Sequence, residues 1–191
     1  ILGRVPATRQ TLLFSATFES QIKQLALEFM KSPEQVQVAT QNTIAETIVH
    51  RAHPVDGQRK RDLLIDILAT RHTEQVLVFG KTKHGCNRLA EQLDKAGLPT
   101  VAIHGNKSQA QRQKALDAFK AGRARILVAT DVAARGLDIP NLPLVINHDL
   151  PMVAEDYVHR IGRTGRNGAS GEALSLVSPE EGGLLRDIQK L

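Results

Sequence analysis

Short apolar runs interleaved with helical segments constrain this chain more than any other feature. Val76–Phe79, Thr100–Ile103, Ile126–Ala129, Leu144–Asn147 and Ala173–Val177 each read as a strand. Between them, apolar residues return at helical spacing: Leu63, Leu64, Ile67 and Leu68, then Cys86, Leu89, Ala90 and Leu93, then Ala115, Leu116 and Phe119. Ser108 followed by Gln111 is a capping-box pattern, and Gly97 and Gly122 stand where helices should stop. Ala154–Ile161 and the tail from Glu180 read as helical. Strands alternating with helices of about 10 to 15 residues imply right-handed βαβ units. The expected fold is therefore α/β, an open and mostly parallel β-sheet with helices on both faces.

Ahead of this region lie a strand reading at Leu12–Phe14, a helix carrying Ile22, Leu25, Ala26, Phe29 and Met30, and a strand at Val36–Val38. A polar stretch, Thr40–Glu46, has no period and reads as a linker, and an extended segment follows near Ile48–Val55.

Composition excludes several classes. No apolar run in the 191 residues reaches the roughly 18 needed to cross a bilayer. The start has no secretory leader pattern, and without an initiator Met it is expected to derive from a longer chain. Cys86 is the single cysteine, which removes an intrachain disulfide framework and a cysteine-based zinc site and makes a cytoplasmic location the default. Its place on an apolar helix face marks it as a core residue. His50, His53, His72, His84 and His148 show no metal-ligand spacing. The net charge of +5 suits a polyanionic partner, but aromatic residues make up only 3%, so contacts should go to a nucleic-acid backbone rather than to stacked bases.

In open parallel sheets ligands bind beyond the carboxyl ends of the strands. Those ends carry Gly80-Lys81-Thr82, His104-Gly105, Thr130-Asp131 and His148-Asp149. The loop Thr130–Pro140, TDVAARGLDIP, can offer donors to phosphate and carboxylates to a sugar hydroxyl, although the same composition suits a turn whose aspartates cap a helix. In His159–Arg166, HRIGRTGR, Arg160, Arg163 and Arg166 recur every third residue. Three crowded cations call for a compensating anion, and a triphosphate suits the planar fork of guanidinium; a solvated basic turn is the alternative.

TDVAARGLDIP followed by HRIGRTGR resembles the fifth and sixth motifs of the DEAD-box family of superfamily 2 helicases. Ser15-Ala16-Thr17 resembles that family's SAT motif, VLVFGKT (76–82) its fourth motif, and Gln109 and Arg112 the segment after the HG pair. The likeness runs from about Gln10 to Val177. TKHG, AIHGNKSQ and GEALSLV are most similar to bacterial helicases of the RhlE type. There is no GxxxxGK[ST] phosphate loop and no Asp-Glu-Ala-Asp tetrad, which the family carries in its first RecA-like domain. The resemblance thus implies a remnant of that first domain over 1–39, a linker over 40–47, and a second RecA-like domain, the helicase C-terminal domain, over 48–191.

It also implies roles. ATP would lie between the two domains, with Mg2+ held mainly by the first, and this chain would hold no metal. Arg163 and Arg166 would act as arginine fingers with His159 beside them, and Gly136 and Asp138 would meet ribose and phosphates. Thr82, Gly105, Gln109, Arg112, Thr130 and Arg135 would contact RNA backbone. Ser15, Thr17, Asp131 and Arg160 would couple the domains, and the partners would be RNA and the first domain. Alternatives stay open: His159 as a hydrogen-bonded residue without a catalytic part, Arg160 as packing for the loop, Arg112 as a solvated helix charge, Gln109 as a helix-start residue. The implied activity is ATP-dependent remodelling of RNA duplexes, with the fragment inactive alone. A passive RNA-binding or protein-docking module and a superfamily 2 DNA helicase are the competing functions.

Overall fold

All the strands run parallel, in the order β1-β6-β5-β2-β4-β3. They are β1 (Ile48–Pro54), β2 (Val76–Phe79), β3 (Thr100–Ile103), β4 (Ile126–Ala129), β5 (Leu144–Asn147) and β6 (Gly171–Val177). The structure, a computed structural model, describes residues 5, 6, 8–15, 20–36, 47–71, 74–135, 137, 139, 142–165 and 169–191. The helices are α1 (Ser20–Phe29), α2 (Lys60–Ala69), α3 (Lys83–Lys95), α4 (Gln109–Lys120), α5 (Asp131–Ala134), α6 (Ala154–Ile161) and α7 (Gly182–Ile188). The chain divides into two units, Ile1–Thr43 and Ile44–Leu191.

In the second unit, alternation along each strand feeds two cores. Val76, Val78, Ile126, Val128, Leu144 and Ile146 face α2 and α3, packing with Leu64, Leu68, Leu89 and Leu93. Leu77, Phe79, Leu127, Ala129 and Val145 face the other way, onto Leu116 and Phe119 of α4 and Ala133 and Ala134 of α5. This two-sided burial is why the central runs carry no polar alternation. Removing each of the Val, Leu, Ile and Phe side chains from water contributes about 1.5–3 kcal/mol. A third cluster seats Tyr157 and Ile161 of α6 and Ile188 of α7 on Ile48, Ala173 and Val177. The edge strand β1 is largely exposed; its His50, Arg51 and terminal Pro54 discourage pairing with another strand.

Helix boundaries follow local chemistry. The Thr82 hydroxyl accepts the Gly85 N–H at 3.0 Å to open α3, which stops before Gly97 at φ +80°. Ser108 and Gln111 exchange both capping-box bonds to open α4, and Gly122 at φ +71° follows its end. Cys86 is fully buried; burial, then the field of Asp149, pushes its thiol up to about 12. It is a core residue, as its helix position implied.

The first unit differs from its reading in two places. Leu12–Phe14 form no strand and are exposed, Phe14 to 88%. A strand needs a hydrogen-bonded neighbour, and among the described residues of this unit there is none. Val36 is irregular and exposed, and 37–38 lie outside the described residues, as does the polar stretch 40–46. The helix reading over Ile22–Met30 corresponds to α1. In the second unit, β6 starts two residues before Ala173, and the tail begins with a 3₁₀ turn over Pro179–Glu181 before α7.

Candidate functional site

The parallel register brings the candidate strand ends to one level. Phe79 pairs with Ala129 on one side and Asn147 on the other, and Ala129 pairs with Ile103. The residues that follow are Gly80, Thr130, His148 and His104. They are tied together: Gly80 N–H donates to Ala129 O at 3.0 Å, and His148 N–H to Phe79 O at 3.0 Å. Thr82 and Gly105 are exposed on this edge. Buried His104 fixes the turn beside Gly105. Its Nδ1 accepts the Asn106 N–H at 3.3 Å and its Nε2 lies 2.8 Å from Asn87 Oδ1. Burial, then Lys107, Lys83 and His84, hold its pKa below the ordinary value, so the ring is neutral, with Nε2 donating.

Arg112, on the first turn of α4, reaches towards α5. Its Nη2 donates to Ala133 O at 3.4 Å and its Nη1 lies 3.5 Å from Gln109 Oε1, both at the long limit for hydrogen bonds. Its buried Nε has no partner. Gln109 is the first residue of α4, and Thr130, 8% exposed, N-caps α5 through its carbonyl while its hydroxyl makes no capping bond. The strand-end readings Thr82, Gly105, Arg112 and Thr130 therefore share one edge of the sheet.

Arg160 is a buried anchor. Only 2% exposed, it donates from Nε and Nη2 to the two carboxylate oxygens of Asp131, and from Nη1 to Asn147 Oδ1 at 3.0 Å and Asp149 O at 2.6 Å. The guanidinium lies 4.9 Å from the Phe79 ring centroid. The sequence left Arg160 open between packing of the loop and phosphate contact; its contacts here are to Asp131, Asn147, Asp149 and Phe79.

The arginine turn lies elsewhere. Helix α6 leads back from the strand ends, and Thr164 bridges Leu142, just before β5 begins. The turn thus sits by the amino ends of the strands, which the strand-end rule does not anticipate. His159, Arg163 and Arg135 border a recess of about 20 Å³ with Asp156, Asp131 and Arg160. Arg135 is ion-paired to Asp156, and Arg163 Nη1 donates to Leu137 O at 3.3 Å. Gly165 adopts φ +65°. Arg166, Gly136, Asp138 and Thr17 lie outside the described residues; Ser15 is an exposed residue of the first unit.

One cluster escaped the sequence reading. Lys60, 4% exposed, donates to His148 O at 2.8 Å and pairs with Glu181. Glu181 also accepts the Leu150 N–H at 2.9 Å and the Ser178 N–H at 3.0 Å. Asp149 accepts the Lys81 N–H at 2.8 Å. Burial alone would raise the Asp149 carboxyl, but His148, the Lys81 N–H and Lys60 outweigh it and bring it down to about 2. The Ser178-Pro179-Glu180-Glu181 capping box was a usable signal for half of this cluster; nothing local marks Lys60.

Comparison with known proteins gives the class. The family described as helicase conserved C-terminal domain matches residues 59–168. ATP-dependent RNA helicase DbpA of Bacillus subtilis is 43% identical over 190 residues, which cover 100% of this chain and 40% of that protein. The chain thus spans about 40% of the length of this curated relative. Among solved structures, the Escherichia coli DEAD-box protein SrmB bound to the regulator of ribonuclease activity RraA is 36% identical. It has a TM-score of 0.69, over 73% of this chain and 82% of that one. Dbp5 of S. cerevisiae bound to RNA and ADP BeF3 is 32% identical with a TM-score of 0.86, over 97% of this chain and 50% of that one. The chain belongs to the helicase conserved C-terminal domain family, and its homologues are DEAD-box RNA helicases. The six-stranded unit is their RecA-like C-terminal fold.

Proposed function

We propose that this chain supplies the arginine half of an ATP site and half of an RNA groove in an ATP-dependent RNA helicase. The observation that carries this is the pair of arginine-bearing surfaces joined by the buried Arg160–Asp131 contact. One surface is the strand-end edge with Thr82, Gly105, Arg112 and Thr130. The other is the recess where Arg163, Arg135 and His159 meet. The donors fit an anion. The guanidinium groups of Arg135, Arg160 and Arg163 border the recess and outnumber the carboxylates of Asp131 and Asp156 there.

Bound ATP with Mg2+ would supply the phosphoanhydride whose cleavage drives domain movement. Arg163 and Arg166 would lower the cost of charge developing on the transferred phosphoryl group, as arginine fingers do in related NTPases. His159 would link the γ-phosphate region to the RNA side, and Gly136 and Asp138 would approach ribose and phosphate. Thr82, Arg112 and Thr130 would hold RNA by its backbone, with Gly105 and Gln109 nearby, so binding would ignore sequence. Arg135, which the resemblance assigned to RNA, stands instead at the recess with Arg163 and His159. The relatives' names support ATP use and RNA as partner: DbpA is called an ATP-dependent RNA helicase, and Dbp5 was solved with RNA and ADP BeF3.

Residues 1–39 would be the tail of a first RecA-like domain, 40–47 a linker and 48–191 the second domain. Exposed Leu12, Phe14 and Val36 suit a surface made to be covered by that domain's sheet, and Ser15 and Thr17 would belong to the coupling segment. The wording at 82–85, 102–109 and 171–177 supports an RhlE-type subclass. In the test, ATP hydrolysis is measured with saturating RNA for the chain alone and for the full-length protein containing an ATP-binding domain. Turnover should require the longer protein; turnover by the chain alone would refute the half-site reading.

A further inference from the structure

The turn Arg163-Thr164-Gly165 is held from three directions. From the β5 side, Leu142 N–H donates to Arg163 O at 3.1 Å and the Thr164 hydroxyl donates to Leu142 O. From β6, Gly171 packs so closely that a Cβ there would come within 2.5 Å of Gly165 N. From the start of β1, the Thr47 hydroxyl donates to Gly165 O at 2.9 Å. Ile48 closes over the same residue: a Cβ on Gly165 would fall 2.5 Å from Ile48 Cγ1 and 3.1 Å from Thr47 Oγ1.

The third contact differs in kind from the other two. Thr47 lies outside the arginine loop and the β5–β6 framework that frames it. It closes the 40–47 segment and hands the chain to β1, where its own carbonyl accepts the Gly171 N–H at 3.0 Å. That bond anchors Thr47 to the sheet, so its hydroxyl is a fixed donor. Gly165, at φ +65° and without a side chain, has peptide freedom that only such contacts remove. It immediately precedes Arg166 and follows Arg163 by two residues.

We propose that Thr47 is a positioning residue for nucleotide hydrolysis. Its hydroxyl sets the Gly165 carbonyl and thereby the direction of the arginine-bearing turn. The inference deepens the reading of Arg163 and Arg166 as groups acting on the phosphoryl anion and rests on it. Misplacing such a group by about 1 Å can cost on the order of 100-fold in rate, so a single hydrogen bond on the adjoining peptide has leverage over turnover. It also makes Thr47, the residue before β1, a direct neighbour of the turn that carries Arg163.

The experiment uses the full-length protein and the variants Thr47→Val, Thr47→Ser and Arg163→Ala, with kcat and apparent KM for RNA in ATP hydrolysis and the melting temperature. Thr47 is exposed, so valine need not enter the core. Thr47→Val should lower kcat about three- to tenfold, the worth of one hydrogen bond, with the KM for RNA unchanged and the melting temperature lowered by no more than a few degrees. Thr47→Ser, which keeps the donor, should restore kcat. Parental kcat in Thr47→Val, equal losses in Val and Ser, or a loss carried by RNA affinity or melting temperature would each overturn the proposal. If Arg163→Ala is slow while Thr47→Val is fast, Thr47 alone has been misread. If Arg163→Ala turns over at the parental rate, the arginine reading itself fails.

Discussion

The Arg160 guanidinium meets both carboxylate oxygens of Asp131, Nε to Oδ1 at 2.6 Å and Nη2 to Oδ2 at 2.8 Å. This bidentate pair joins the helix that leads to the arginine turn with the turn after β4 that carries Thr130. Arg160 is buried, so removing the carboxylate strands a cation in the protein.

Asp131→Asn keeps the side-chain shape and removes the charge. Breaking a buried pair by deleting one partner costs about 3–5 kcal/mol; because the Asp131 side chain is partly exposed, the lower end, about 3 kcal/mol, is expected. Urea unfolding of this chain measures it. A shift below about 1 kcal/mol would mean that Asn147 and the Asp149 carbonyl hold Arg160 without help.

Much of this arrangement was legible before any coordinates. The helix starts at Thr82 and Ser108 and the stops at Gly97 and Gly122 depend on neighbours a few residues away, so local patterns suffice. The central strands were legible because burial on both faces leaves only apolar side chains. Arg160, Arg163 and Arg166 look alike in sequence. What separates Arg160 is a carboxylate 29 positions away and the ring of Phe79, contacts only folding creates. Lys60 is paired with Glu181, 121 positions distant, and no local feature distinguishes it from a solvated lysine. The strand-end rule found Thr82 and Thr130 but missed the place of the arginine turn, because α6 carries it back to Leu142. Leu12–Phe14 has the composition of a strand and lacks a partner strand among the described residues of its own unit.

The RNA edge should be electrostatic and blind to sequence. Each phosphate neutralised on a single strand contributes about −0.7 to the slope of log affinity against log salt. Arg112→Ala should flatten that slope by about that amount, equally for unrelated RNAs, because its guanidinium is the cation among the three backbone contacts. Thr130→Val should weaken binding at unchanged slope, since a hydroxyl releases no counterion. The measurement is RNA binding by the full-length protein with a non-hydrolysable ATP analogue across a salt series. Unchanged affinity and slope in Arg112→Ala would move the groove elsewhere.

If the turn after α6 acts on ATP and the strand-end edge acts on RNA, Arg163 and Arg166 govern turnover and not RNA affinity. RNA-stimulated ATP hydrolysis by full-length Arg163→Ala and Arg166→Ala, with nucleotide-free RNA binding measured beside it, separates the two most directly. Each variant should lose about 10³-fold or more in turnover while RNA affinity stays near parental. Intact turnover with weakened RNA binding would contradict the assignment and place these arginines in the groove.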